Sequence, residues 1–190
     1  MGEARERWDR KYAGRPAEPG LPDGFLLACA DRLPTAGKAL DVAGGAGRHA
    51  LWLAARGLDV TIADVSPVGL QRATDAAAAR GLAVKTQAMD LEADPRLPDG
   101  PWDLILCFHF LFRPIYGDFA RVLAPGGTLV VCHPTRTNLQ RHAHPSARFL
   151  LEDGELEGLV PGVQVLSLEE GWSPAGRHEA RLVARRAVAG

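Results

Sequence analysis

Three stretches of this 190-residue sequence hold residue types at spacings that can do chemistry. The first is Leu40-Asp41-Val42-Ala43-Gly44-Gly45-Ala46-Gly47-Arg48, an apolar run closing on an acid and followed by three glycines in four positions. Glycine carries no Cβ and reaches left-handed backbone at little cost, so the main chain there can approach a ligand closely before a helix opens. Small residues around it leave room for a nucleoside. The second is Asp64, seventeen residues after Gly47, closing Thr61-Ile62-Ala63-Asp64-Val65. A carboxylate at a strand edge accepts both hydroxyl hydrogens of a ribose as a bidentate pair. The third is Ala88-Met89-Asp90-Leu91, where Asp90 can accept from an exocyclic adenine amine while Met89 and Leu91 pack on the ring.

Other candidates concern a second reactant. Cys107-Phe108-His109-Phe110-Leu111 offers His109 to steer an acceptor or take its proton, with Phe108 or Phe110 to exclude water. His142-x-His144, with His133 nearby, reads as an exposed loop rather than a metal site, and no metal is predicted. In Gly176-Arg177-His178-Glu179-Ala180-Arg181, cationic side chains can hold an anion through charge-assisted hydrogen bonds. Strand alternation places Arg177, Glu179 and Arg181 on one face and His178 with Ala180 on the other. Arg177 reads as the solvated face of an edge strand, which leaves His178 and Arg181 beside His109 as catalytic candidates.

These residues need elements to hold them. Apolar runs at 39–43, 60–63, 83–88, 104–108 and 128–132 alternate with helical patterns near 48–55, 67–80 and 115–123. That rhythm predicts right-handed βαβ crossovers and a parallel sheet covered on both faces, with the three acidic tips at the carboxyl ends of consecutive strands. Ser66-Pro67 supplies a helix N-cap and first-turn proline, and Gly81 a left-handed C-terminal cap. Ahead of the sheet lie a helix over 2–12 with Trp8 and Tyr12 on one face, a loop with Pro16, Pro19 and Pro22, and a helix from an N-cap at Asp23 to before Pro34. After His133 come a polar stretch to Ser146, a short helix near 152–159, and strands near 163–169 and 178–185 joined by a Ser173-Pro174-Ala175-Gly176 turn. The sheet therefore ends in an antiparallel hairpin.

Composition limits the partners. The length fits one domain over 1–190. A formal net charge of -1 gives no concentrated basic surface for nucleic acid. Neither an apolar leader nor an 18-residue apolar stretch is visible, so a cytoplasmic protein without a membrane segment is expected, as a monomer or homodimer. Cys29, Cys107 and Cys132 are odd in number and lack C-x-x-C spacing, so they read as small core residues.

Residues 38 to 133 resemble the class I S-adenosylmethionine-dependent methyltransferases. Asp41, Gly45 and Gly47 match that family's D-x-G-x-G-x-G motif, with Ala43 in place of its first glycine. Asp64 matches its ribose-binding acid and Asp90 its adenine-contacting acid. Phe119-Ala120-Arg121-Val122-Leu123-Ala124-Pro125-Gly126-Gly127-Thr128-Leu129-Val130 matches its helix, Pro-Gly-Gly turn and fifth strand. The resemblance implies a Rossmann-like three-layer α/β sandwich with a mostly parallel seven-stranded sheet. It implies S-adenosylmethionine as cofactor, held by Trp8, Tyr12, Asp41, Ala43, Gly44, Gly45, Gly47, Asp64, Val65, Met89, Asp90, Leu91 and Phe108, and a small-molecule methyl acceptor. Trp8-Asp9-Arg10-Lys11-Tyr12 and the short length look most like the tellurite-resistance branch, which implies that residues 1–22 cover the cofactor and that a tellurium or selenium oxyanion is methylated.

Two rival readings share these residues. Gly45-x-Gly47-x-x-Ala50 also fits a dinucleotide fingerprint, although a nicotinamide site normally places an apolar residue where Asp41 stands. A sensor or subunit that binds S-adenosylmethionine without transferring anything would keep every cofactor residue.

Overall fold

The computed structural model describes residues 2–16 and 18–188. Seven strands form one sheet in the order β3-β2-β1-β4-β5-β7-β6, where β1 is Lys38–Val42, β2 Asp59–Asp64, β3 Lys85–Ala88, β4 Trp102–Phe108, β5 Leu123–Pro134, β6 Val163–Trp172 and β7 His178–Arg186. The strands β1 to β5 are parallel, while β7 lies antiparallel between β5 and β6. Strand order reverses between β1 and β4, so a crevice opens beyond their carboxyl ends.

Helices α1 (Glu3–Ala13), α2 (Gly24–Ala28), α3 (Arg48–Ala55), α4 (Pro67–Ala78), α5 (Phe119–Val122) and α6 (Leu156–Leu159) complete the layers. Alternation splits the sheet between two cores. Leu40, Ile105, Cys107, Leu129 and Val131 pack with Tyr116 and Phe119 on one face. Ala39, Leu104, Leu106, Val130 and Cys132 pack with Leu53 and Leu70 on the other. All three cysteines are buried and free, as small core residues.

The local signals act where they were expected. Ser66 Oγ accepts from the Gly69 N–H at 3.0 Å. At the far end of α4, Gly81 is left-handed at φ 66° and Leu82 N–H returns to Ala77 O at 2.9 Å. Gly176, φ 77°, closes the hairpin turn by donating to Ser173 O at 2.8 Å.

Boundaries differ where proline and glycine intervene. Instead of a helix over 115–123, a 3-10 turn at Arg113–Asp118, holding Pro114 and Gly117, leads into the four-residue α5. The Pro125-Gly126-Gly127 turn is absorbed into β5, whose pairing with β4 shifts between Trp102 and Leu104. The helix expected from Asp23 to Pro34 divides into α2 and a 3-10 turn at Ala30–Arg32, and α6 keeps only the last turn of its predicted range.

Candidate active site

The bend from β1 to α3 alternates in hand. Ala43 lies at φ 53°, Gly45 at 56° and Gly47 at 80°, and Gly47 N–H donates to Gly44 O at 3.0 Å. A left-handed alanine is uncommon and strained, so Ala43 holds this conformation only because the surrounding bend imposes it. A Cβ at Gly45 would stand 1.9 Å from the Tyr12 hydroxyl, and one at Gly47 would stand 2.8 Å from Ala73 Cβ. The glycines thus admit Tyr12 above the bend and let α3 start against α4.

Asp64, almost fully buried, braces the bend. Its Oδ2 accepts from Gly45 N–H at 2.9 Å and its Oδ1 from Ser66 N–H at 2.8 Å. Burial raises its pKa while these two backbone donors work to lower it. Each oxygen keeps a further lone pair for a ligand hydroxyl. Asp41 is 1% exposed, and neither of its oxygens has a hydrogen-bond partner. Burial foremost pushes its pKa up to about 7, with Arg48 opposing and Asp64 assisting. Buried polar atoms are satisfied as a rule, so an orphaned carboxylate beside a glycine bend fits a ligand that brings cationic or N–H donors.

A cavity of about 910 Å³ covers the bend. Its lining includes Trp8, Tyr12, Asp41, Ala43, Gly44, Gly47, Asp64, Val65, Met89, Asp90, Leu91, Phe108 and His109 from the sequence reading. Gly45 is not in the wall, because Tyr12 stands over it. Asp90 also opens a turn, with Oδ1 accepting from Glu92 N–H at 3.1 Å and Ala93 N–H at 3.2 Å. Trp8 and Tyr12 stack at 5.7 Å on α1. Two side chains not singled out by the sequence anchor that helix. Asp9 accepts from Ser66 Oγ and from Val68 N–H at 3.3 Å, and Arg72 donates to the carbonyls of Ala13, Arg15 and Pro16.

At the other end of the cavity His109 is left-handed, φ 57°, with its N–H on Cys132 O at 2.9 Å. Its ring lies between two acids, Nε2 3.4 Å from Asp23 Oδ2 and Nδ1 4.0 Å from Glu179 Oε1. Arg177 joins the same acids from the opposite side, Nε donating to Glu179 at 2.7 Å and Nη2 3.5 Å from Asp23. Burial works to raise the Asp23 pKa, yet hydrogen bonds from His109 and from Phe25 N–H hold it well below the usual carboxylate range. Arg177, read from the sequence as a solvated residue, is partly exposed and also lines the cavity, where it bridges two carboxylates.

His178 and Arg181 are not brought to the cavity, and this corrects their placement among the acceptor-facing residues. Glu179 pairs with Pro134 at the rim of the crevice, whereas Arg181 pairs with Cys132 deeper in the sheet and reaches Glu169 at 3.7 Å. His178 points to the other face, Nδ1 2.7 Å from Thr135 Oγ1 and its ring edge-on to Trp172. His142 Nε2 lies 2.7 Å from Gly176 O. His49 and His133 are buried in the cavity wall, and desolvation pushes their pKa values down to about 3 and about 4. His109, Cys132 and Glu179 have ligand atoms within 4.8 Å of one another. With Glu179 held by Arg177 and the Cys132 thiol pushed up by burial, that trio does not read as a ligand set.

Comparison with known proteins adds to this geometry. A methyltransferase domain family matches residues 39–127. The demethylmenaquinone methyltransferase of Thermus thermophilus is 42% identical over 99 residues, covering 48% of this chain and 44% of that protein. The glycine/sarcosine N-methyltransferase of Parasynechococcus marenigrum is 31% identical over 137 residues, covering 67% of this chain and 48% of that protein. The chain thus spans about half the length of these curated relatives. The crystal structure of TehB from Haemophilus influenzae superposes with a TM-score of 0.72 at 18% identity, covering 94% of this chain and 67% of that one, a likeness of fold.

Proposed function

Because this chain belongs to the class I S-adenosylmethionine-dependent methyltransferases, we propose that it transfers the methyl group of S-adenosylmethionine to a small molecule held at the His109 end of the cavity. The observation that carries this reading is Asp41: a buried carboxylate without a partner, beside a left-handed glycine bend at the switch point of the sheet. In this assignment Asp41 takes donors from the amino-acid end of the cofactor or its ribose, Asp64 the ribose hydroxyls, and Asp90 the adenine amine between Met89 and Leu91.

The cofactor supplies a sulfonium methyl group that is already electrophilic, so the chain's own residues have to align the nucleophile and exclude water. Orientation of this kind is worth about 7–11 kcal/mol in favourable cases. Phe108 forms part of the wall, its ring 4.4 Å from His49, and Trp8 and Tyr12 cover the nucleoside end as a lid. His109 is the group placed to take a proton from an acceptor that carries one.

Acceptors of two kinds separate here. A tellurium or selenium oxyanion calls for uncompensated cations, and the residues offered for it, His178 and Arg181, stand outside the cavity wall. A small protonated nucleophile fits the paired charges around His109 better. No helix among the described residues is long and apolar enough to cross a membrane. The test is formation of S-adenosylhomocysteine when the purified chain meets a panel of thiols, amines, acids, phenols, selenite and tellurite. Tight cofactor binding with no product from any of them, nor from a mixed metabolite extract, would support the sensor reading instead.

A further inference from the structure

The charges around His109 close on themselves. Asp23, His109, Glu179 and Arg177 form a ring in which each neighbour faces the next at 2.7 to 4.0 Å. Arg177 spends its guanidinium on the two carboxylates, and Arg48 adds a second cation 3.8 Å from Asp23. An incoming carboxylate or oxyanion finds no unpaired cation here, and an incoming ammonium finds no unpaired acid. His133 adds no charge, because its Nε2 is committed to Phe149 O at 2.8 Å and burial keeps the ring neutral. His109 turns part of its ring outward, its side chain 27% exposed, beside the partly exposed but paired guanidinium of Arg177. The walls beside it are apolar: Phe108, Phe110, Leu111, Pro134 and Phe149.

Resting on the methyltransferase reading, we infer that this end of the cavity takes an uncharged, flat, apolar acceptor with an acidic hydroxyl, of phenol or enol type, and that His109 receives its proton. An imidazole suits such a hydroxyl, since general-base catalysis works best on a proton whose affinity lies near that of the base. In the transfer, an oxygen–carbon bond forms as the carbon–sulfur bond breaks. The electron pair of the broken bond stays on sulfur and neutralises the sulfonium, and the hydroxyl proton passes to Nδ1 of His109, because Nε2 is the nitrogen that donates to Asp23. The imidazolium so formed lies between Asp23 and Glu179, which act as positioning residues through their charge. The left-handed backbone at His109 aims the ring at that gap.

The test uses 4-nitrophenol with the full chain saturated in S-adenosylhomocysteine, because this probe changes colour on losing its proton. Saturable binding is expected, with the phenolate appearing at a proton concentration at least tenfold higher than in water. His109→Ala should abolish that displacement, and Glu179→Gln should reduce it, while both variants stay folded by circular dichroism. Turnover of phenols, measured as S-adenosylhomocysteine formed from S-adenosylmethionine, should exceed that of benzoate, benzylamine, selenite and tellurite at least tenfold. Absence of probe binding, ionisation as in water, or preferential methylation of an oxyanion or amine would overturn the inference. Calorimetry with S-adenosylmethionine separates the two levels: retained cofactor binding leaves the methyltransferase reading standing when the acceptor class fails, and its loss strikes at that reading itself.

Discussion

Replacing Asp41 by asparagine in the ligand-free protein should raise stability at pH 8 and leave it nearly unchanged at pH 4. The carboxyl goes from an ordinary value of 3.8 to about 7 in the fold, chiefly through burial. An acid whose folded pKa lies above its unfolded value keeps its proton in the native state after the unfolded chain has released it. Stability therefore falls as pH rises from about 4 to about 7, and the loss is complete above that window. Its size is on the order of 4 kcal/mol, at 1.36 kcal/mol per tenfold difference. Asparagine escapes this penalty, and its amide is as short of partners in the fold as the protonated carboxyl it replaces, so the two neutral groups cost about the same. The balance is a gain on the order of 4 kcal/mol at pH 8 and little change at pH 4. For a chain of this size that gain is about 8–16 °C in Tm. Thermal melts of the two proteins should nearly coincide at pH 4 and separate as pH rises to 8; curves that run parallel, or a variant less stable at pH 8, would refute the assignment of Asp41 as an unpaired buried acid. The same substitution should weaken S-adenosylmethionine binding, which isolates the cost of holding the site open.

Ala43→Gly should stabilise the protein by about 0.5–1 kcal/mol, since relief of the left-handed strain at φ 53° outweighs the added chain entropy; a lower midpoint in urea would contradict it. Gly45→Ala should destabilise by more than the 1–2 kcal/mol of its backbone strain, because its Cβ meets the Tyr12 hydroxyl at 1.9 Å. Adding Tyr12→Phe should recover part of that loss, and strict additivity of the two changes would argue against the contact. Removing residues 1–15 should reduce turnover more than it reduces Tm, as expected of a lid; equal turnover in the truncated protein would remove that role from Trp8 and Tyr12.

The glycine-bend half of the candidate site was legible because its determinants are local. Asp41, Gly45, Gly47, Asp64 and Asp90 lie at strand tips whose order follows from the βαβ rhythm, and Ser66 and Gly81 mark the ends of α4 by their own backbone chemistry. The acceptor half was read poorly because it is assembled by antiparallel pairing across long separations. Asp23 reaches His109 over 86 residues, and which of Arg177, Glu179 and Arg181 meets the crevice depends on β7 pairing Glu179 with Pro134. Alternation gave the shared face but not the depth along it. His109 illustrates a second limit, since a left-handed histidine after a strand has no signal in residue type. The helix α1, proposed as a lid, was visible through Trp8 and Tyr12, yet the groups that fasten it to α4, Asp9 and Arg72, looked like ordinary surface charges.

In the proposed assignment the glycine bend, braced by Asp64 and topped by Asp90, holds the adenosyl part of S-adenosylmethionine. Calorimetric titration of S-adenosylmethionine and of NADH into the protein and into Asp64→Ala tests it most directly. One S-adenosylmethionine per chain, bound at least tenfold more weakly by Asp64→Ala, with no uptake of NADH, is the predicted result. Equal affinity in both proteins, or saturable NADH binding that S-adenosylmethionine displaces, would contradict it.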